Sequence, residues 1–150
     1  MKQVGEALSV IEESCCKMPT SKIKDVILDK GPIGGIYTAL ILSDTELNLI
    51  LSCDIPLIST KIVRELIEKH NSTFDVSLFA ETNRVHPLIG IYSKKVLPIL
   101  KKSIESNEFK MMHFISKVNH QLIRIGDENQ YQFQNINSLL ELEELNTKYH

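Results

Sequence analysis

The apolar run LILSCDIPLIS, residues 49 to 59, ends on an acid and a proline. Asp54 follows the last residue of a strand-like segment and Pro56 turns the chain after it, so the carboxylate can face whatever lies beyond the sheet edge. One carboxylate at a strand tip can anchor Mg²⁺, which keeps several waters and takes other ligands from substrate phosphates. A helix-capping or turn aspartate is the plain alternative. Cys53 beside it reads as a small buried residue, not a nucleophile. A second segment, DKGPIGGIYTAL, sets Gly31, Gly34 and Gly35 ahead of a helix. Glycine lets backbone approach a ligand closely, and the free amides of a helix start favour an anion. The spacing fits neither a P-loop nor the dinucleotide fingerprint, and a simple turn has the same composition. Asp25 and Asp29 flank it, either as hydrogen-bond acceptors for a nucleobase or ribose or as solvated loop charges. In NRVHPLIGIYS, Arg84 and His86 immediately precede a strand. Arginine pairs bidentately with phosphate and histidine can donate to it, although exposed loop residues look alike. In QNINSLLEL, Asn135 and Asn137 alternate with Ile136 and share one side, with Asn137 or Ser138 equally able to cap the helix that follows.

These residues need elements to position them. Val4, Ala7, Leu8 and Ile11 recur at helical spacing and predict an opening amphipathic helix ended by Pro19. KDVIL reads as a strand before the DKGPIGG turn, and IYTALILS as a helix after it. NLILSC reads as a buried strand of the parallel type, followed by the helix STKIVRELIEKH with Ser59 as N-cap. DVSLFAET is a third strand, and HPLIGIYS a fourth whose Pro87 marks an edge or antiparallel strand. KKVLPILKKSIES is helical with Pro98 in the first turn or at a kink; a short helix FKMMHFISKV, a strand HQLIRIG, a polar turn DENQ and a final helix SLLELEELNTKY complete the chain. The alternation predicts an α/β fold, a mostly parallel sheet with helices on both faces, with ligands beyond the carboxyl ends of the strands.

Composition bounds the function. A length of 150 residues is one domain, taken as 1–150, and 43% apolar with 24% charged residues is ordinary for a globular protein. No apolar run approaches the roughly 20 residues of a membrane span. A net charge of -2, with 17 basic and 19 acidic residues spread along the chain, provides no footprint for nucleic acid or an anionic membrane. Cys15, Cys16 and Cys53 match neither a zinc site nor a disulfide framework and fit a reducing cytoplasm. The N-terminal segment, interrupted by Glu6, Glu12 and Glu13, reads as structure and not as a secretory signal. Histidines at 70, 86, 113, 120 and 150 lack paired ligand spacing, so a metal here would have oxygen ligands.

The ordered series GPIGGIYTAL, LILSCDIPLIS, HPLIGIYSKKVLPIL and QNINSLLELEEL closely resembles molybdenum cofactor guanylyltransferases and their MobA-like nucleotidyltransferase relatives, over roughly residues 24 to 146. The resemblance implies a Rossmann-like three-layer α/β sandwich that joins GMP from GTP to molybdopterin and releases pyrophosphate with Mg²⁺. It implies that Asp54 binds the metal, that Asp25 and Gly31, Gly34 and Gly35 lie at the nucleotide, and that Arg84, His86, Asn135 and Asn137 lie near the pterin. Other molybdenum cofactor biosynthesis proteins are the partners it implies. The family's first strand and LAGG-type phosphate loop have no counterpart here, and the reading is of a domain truncated at its N-terminal side. A non-catalytic pterin-binding or assembly module, and a nucleotidyltransferase acting on a sugar phosphate or another cofactor precursor, are the alternatives.

Overall fold

The computed structural model describes residues 30–55 and 57–134. Among them four strands form one sheet in the order β1-β3-β2-β4, with β1 at Leu47–Leu51, β2 at Val76–Ala80, β3 at Val85–Ser93 and β4 at His120–Arg124. β1 and β2 pair antiparallel with β3, and β2 pairs parallel with β4, so three strands run one way and β3 alone runs against them. Helices α1 (Gly31–Leu42), α2 (Thr60–Lys69), α3 (Leu97–Glu105) and α4 (Met111–Ile115) lie between or before the strands, and a 3-10 segment spans Asp127–Phe133. No helix among the described residues is long and apolar enough to cross a membrane. The expected opening helix, the KDVIL strand and the final SLLELEELNTKY helix lie outside the described residues, as do Asp25, Pro56, Asn135 and Asn137.

Strand side chains alternate between faces, and β2 is buried at all five positions. Val76 and Leu78 pack with Ile33, Ile36 and Leu40 of α1, Leu100 of α3 and Phe114 of α4 in one core. Phe79 turns the other way, where Ile62 and Leu66 of α2, Ile89 and Ile91 of β3 and Phe133 form a second. Helices thus cover both faces, as the alternation of elements predicts. Ser59 caps α2, its Oγ accepting from the Ile62 amide at 3.4 Å. Pro98 sits in the first turn of α3, where the missing N–H has no helical partner to lose.

Four local expectations change. The GPIGG run is not a turn ahead of a helix but the first turns of α1. Gly31 supplies a positive φ of 57° at the start, Pro32 presets the next residue, and burial of Ile33 and Ile36 outweighs the poor helix propensity of Gly34 and Gly35. β1 has an antiparallel partner; its apolar character on both faces reflects coverage, with Ile50 against the first core and Leu47 and Leu49 against the second. β3 is antiparallel but lies inside the sheet, between β1 and β2. The DENQ turn continues as 3-10 helix to Phe133, held by that ring's burial.

The proline of β3 is accommodated by a bulge. Phe79 pairs with His86 but Leu78 pairs with Gly90, so Pro87, Leu88 and Ile89 have no partner on β2. On the other side the Leu88 carbonyl accepts from Ser52 N at 2.9 Å, and Ile89 pairs with Leu51 of β1. The hydroxyl of fully buried Tyr92 donates back to the Pro87 carbonyl, tying the two ends of the irregularity. Gly90 lies beneath that ring; a Cβ there would stand 2.7 Å from the Ser77 carbonyl oxygen and 3.3 Å from Tyr92 Cε2. Backbone cannot yield as a side-chain end can. Gly90→Ala should therefore cost about 2 kcal/mol, read as a lower urea midpoint at unchanged slope. Tyr92→Phe should cost about 1 kcal/mol in the same measurement.

At the opposite end of the sheet, Ser77 Oγ donates to Gln121 Oε1 at 3.1 Å and lies 2.8 Å from His70 Nδ1, and Gln121 Nε2 donates to the Lys69 carbonyl at 3.1 Å. The serine hydrogen is committed to Gln121, so His70 Nδ1 carries its own. Its Nε2 is the one buried side-chain polar atom without a hydrogen-bond partner among the described residues. Burial pushes the His70 imidazole below its ordinary value. The unfolded chain takes up this proton near pH 6.5 while the folded one resists, so the stability contribution is present above that pH and lost as pH falls through the folded value. His70→Gln should show a shallower loss of urea stability than wild type between about pH 7 and 5.

Candidate functional site

The carboxyl ends of β1, β2 and β4 and the start of β3 share one rim of the sheet. After β1, the bond from Ser52 N to Leu88 O carries the chain alongside β3 before it turns at Cys53 and Asp54. Ile55, buried in the second core, anchors the far side of this turn. Asp54 is held half-buried between these fixed points, and its Oδ1 accepts from Ser52 Oγ. Cys53, expected to be buried, is instead exposed at this turn, and it is free.

The hairpin from β2 to β3 forms the facing wall. Glu81 N donates to the Arg84 carbonyl at 2.7 Å and closes the turn, leaving Arg84 exposed at its end. His86 is not an exposed loop residue but lies inside, 5% exposed, as the second residue of β3 after the hairpin. Its Nε2 is 2.7 Å from Glu81 Oε1. Its ring centroid is 5.0 Å from that of Phe133, which meets Phe79 edge-on at 5.2 Å. Phe133 is positioned by the 3-10 segment, where buried Gln132 accepts from Ser59 N at 2.9 Å and donates to Asn129 Oδ1 at 3.2 Å. The start of α2 and the floor under His86 are therefore one hydrogen-bonded unit.

Burial pushes the His86 imidazole below its ordinary value. The hydrogen bond and charge of Glu81 oppose that shift without overcoming it, and the Arg84 charge adds to it. A neutral imidazole, a carboxylate and a guanidinium thus meet at one rim. Asp54, Arg84 and His86 line a single cavity of about 110 Å³ together with Ser52, Ile55 and the bulge residues. A more open groove of about 450 Å³ lies at the end of β4, between Arg124, Asp127 and Glu128 and the Glu65–Lys69 pair. That pair is closed at 2.6 Å, and Arg124 donates to Thr82 Oγ1 at 3.4 Å, so several of its polar groups are already engaged.

Two segments far apart in sequence are thereby brought together: the strand-loop unit that carries Asp54 and the hairpin that carries Arg84 and His86. Gly31, Gly34 and Gly35 sit at the start of α1 and do not line this cavity. Sequence reasoning missed Ser52, Glu81, Gln132 and Phe133. The signal for Glu81 was the short polar TNR between two strands, which makes a hairpin and lets the Glu81 side chain reach His86. No group of three or more His, Cys, Asp or Glu side chains that could hold a metal occurs among the described residues. Among those residues Asp54 is the one carboxylate lining this cavity, and a single oxygen donor of that kind suits a cation that keeps most of its water, not one caged by protein.

A family model described as the MobA-like NTP transferase domain matches residues 5–122. A Flavobacterium johnsoniae protein named "Probable molybdenum cofactor guanylyltransferase" is 56% identical over 129 residues, which cover 86% of this chain and 68% of the relative. A protein of the same name from Carboxydothermus hydrogenoformans is 34% identical over 100 residues, 67% of this chain and 50% of its own length. The chain thus spans between half and about two thirds of these curated relatives. The crystal structure of molybdopterin-guanine dinucleotide biosynthesis protein A from Archaeoglobus fulgidus, 20% identical, has the same fold, with a TM-score of 0.72 over 99% of this chain and 76% of that one. A crystal structure from Aquifex aeolicus, 29% identical, aligns with a TM-score of 0.66 over 71% of this chain and 56% of that chain. The α/β sheet, its rim cavity and these matches lead to one conclusion: the chain belongs to the MobA-like NTP transferase family, a family of nucleotidyltransferases.

Proposed function

We propose that this chain transfers GMP from GTP to molybdopterin, releases pyrophosphate, and does so with Mg²⁺ held at Asp54. The observation that carries this reading is the meeting of Asp54, Arg84 and His86 in one cavity at the carboxyl rim of the sheet, where open α/β folds bind ligands. Family membership and the names of the relatives support the choice of substrates. An oxygen of the molybdopterin phosphate attacks the α-phosphorus of GTP. The bond from that phosphorus to the oxygen bridging the β-phosphate breaks, and pyrophosphate leaves with the electron pair.

In such a reaction the protein positions reactants and neutralises charge. When bound, Mg²⁺ supplies positive charge to the phosphate oxygens. Asp54, steadied by Ser52 and by the buried Ile55 next to it, offers a carboxylate oxygen at a fixed place. Arg84, exposed at the hairpin, pairs with the molybdopterin phosphate, and its planar guanidinium suits a bidentate contact. The nucleotide side is assigned to Asp25, Gly31, Gly34 and Gly35, and the pterin side to Arg84, His86, Asn135 and Asn137, on the family resemblance. Residues 1–150 act as one domain in the cytoplasm in this reading, supported by a family match that runs unbroken over 5–122 and by the free exposed Cys53. Other proteins of molybdenum cofactor synthesis are its proposed partners.

The test is pyrophosphate release from purified chain with GTP, Mg²⁺ and molybdopterin. Asp54→Asn should lower the rate by about 100-fold or more, with the thermal midpoint little changed. Removing Mg²⁺ with a chelator should have a similar effect. Release that prefers CTP or UTP with a sugar phosphate would move the chain to another acceptor. Molybdopterin binding without release would make it a binding module.

A further inference from the structure

We infer that Glu81 is a positioning residue that locks His86 as its Nε2–H tautomer, so that the ring presents a bare Nδ1 to the Asp54–Arg84 cavity as the acceptor for an N–H or O–H donor of the co-substrate. The inference rests on the reading of that cavity as the co-substrate site. A carboxylate can only accept, so the 2.7 Å contact between Glu81 Oε1 and His86 Nε2 places the ring hydrogen on Nε2. The neutral ring then carries a lone pair on Nδ1. Its orientation is fixed by the Glu81 bond at one edge and by Phe133 against its face. Nδ1 has no hydrogen-bond partner among the described residues, where the one buried orphan is Nε2 of His70. With Nε2 held by Glu81, Nδ1 is the ring nitrogen left to face the cavity that His86 lines. Glu81 does not line it, so the edge that it holds is turned away.

The consequence is a division of labour between neighbours. A phosphate offers acceptors, which suit the Arg84 guanidinium and not a bare imidazole nitrogen. A reduced pterin ring carries N–H and amino donors, which suit Nδ1. Burial of the ring favours the neutral form that this role requires. His86 thus recognises the heterocycle, and Arg84 the anion attached to it.

The experiment is ¹⁵N NMR of the His86 imidazole in the intact, ligand-free chain at neutral pH. Wild type should show one tautomer, protonated at Nε2 with slow proton exchange, and Glu81→Ala should show averaged nitrogen signals. An Nδ1–H tautomer or an averaged pair in wild type overturns the lock, as does an unchanged single tautomer in Glu81→Ala. Should Glu81→Ala not fold, Glu81→Gln serves, because its side-chain oxygen can accept the same hydrogen and should retain the tautomer; losing it there counts against the lock. Titration with molybdopterin should then show about tenfold weaker binding for Glu81→Ala, near-wild-type binding for Glu81→Gln, and unchanged GTP affinity in both. Equal loss for both ligands would make Glu81 merely structural. A wild type that shows the tautomer and binds no molybdopterin would overturn the role given to Nδ1 and the co-substrate reading of the cavity, leaving the lock itself standing.

Discussion

The bulge in β3 is the constraint on which the rest of the site depends. In a regular strand His86, Gly90 and Tyr92 would share one face, because side chains alternate with period two. Three residues without partners on β2 break that parity. Tyr92 stays in the first core with Leu78, while His86 crosses to the second face and meets Phe133. An odd insertion is what moves an imidazole from one side of the sheet to the other. It holds because three groups agree on it: Pro87 needs no ladder partner for its nitrogen, Tyr92 closes a hydrogen bond over it, and Gly90 leaves room for the tyrosine ring.

The reversed direction of β3 matters for a second reason. A parallel strand after β2 would need a crossover, which returns the chain to the far end of the sheet before the next strand begins. The antiparallel hairpin returns within a few residues, so Glu81 and Arg84 remain at the same rim as Asp54. One reversed strand thus lets a mixed sheet collect, at one edge, side chains that a fully parallel sheet would supply only from separate loops. The second core secures the other wall, since Gln132 links the 3-10 segment to the start of α2.

Much of the fold was legible in the sequence, and the reasons for the rest are physical. Ser59 and Pro98 were readable because cap and first-turn preferences are local, involving groups within one helical turn. Asp54 was readable because its position follows from a strand ending. The buried place of His86 was not, since it depends on a register shift against β2 and on Phe133, 47 residues further along the chain. The glycines of α1 misled for a related reason: local propensity argues for a turn, and only the burial of Ile33, Ile36 and Leu40 in a core built from distant elements argues for helix. Asp25, Asn135 and Asn137 stand outside the described residues, and their assignment rests on the resemblance alone.

The two walls of the cavity therefore have different origins, and this bears on how such a site can change. Asp54 sits on a strand-loop-helix unit whose geometry is fixed by its own neighbours, Ser52 and Ile55. Arg84 and His86 sit on a hairpin whose facing is fixed by parity across the sheet. A change of one residue in the bulge would reverse the facing of His86, and it would reach Asp54 only through the bond from Ser52 N to the Leu88 carbonyl. In the reading proposed above, the metal and nucleotide side is set by local sequence and the co-substrate side by tertiary register. Altered co-substrate preference then has a short structural route through the hairpin and bulge, one that leaves the chemistry at the α-phosphorus in place.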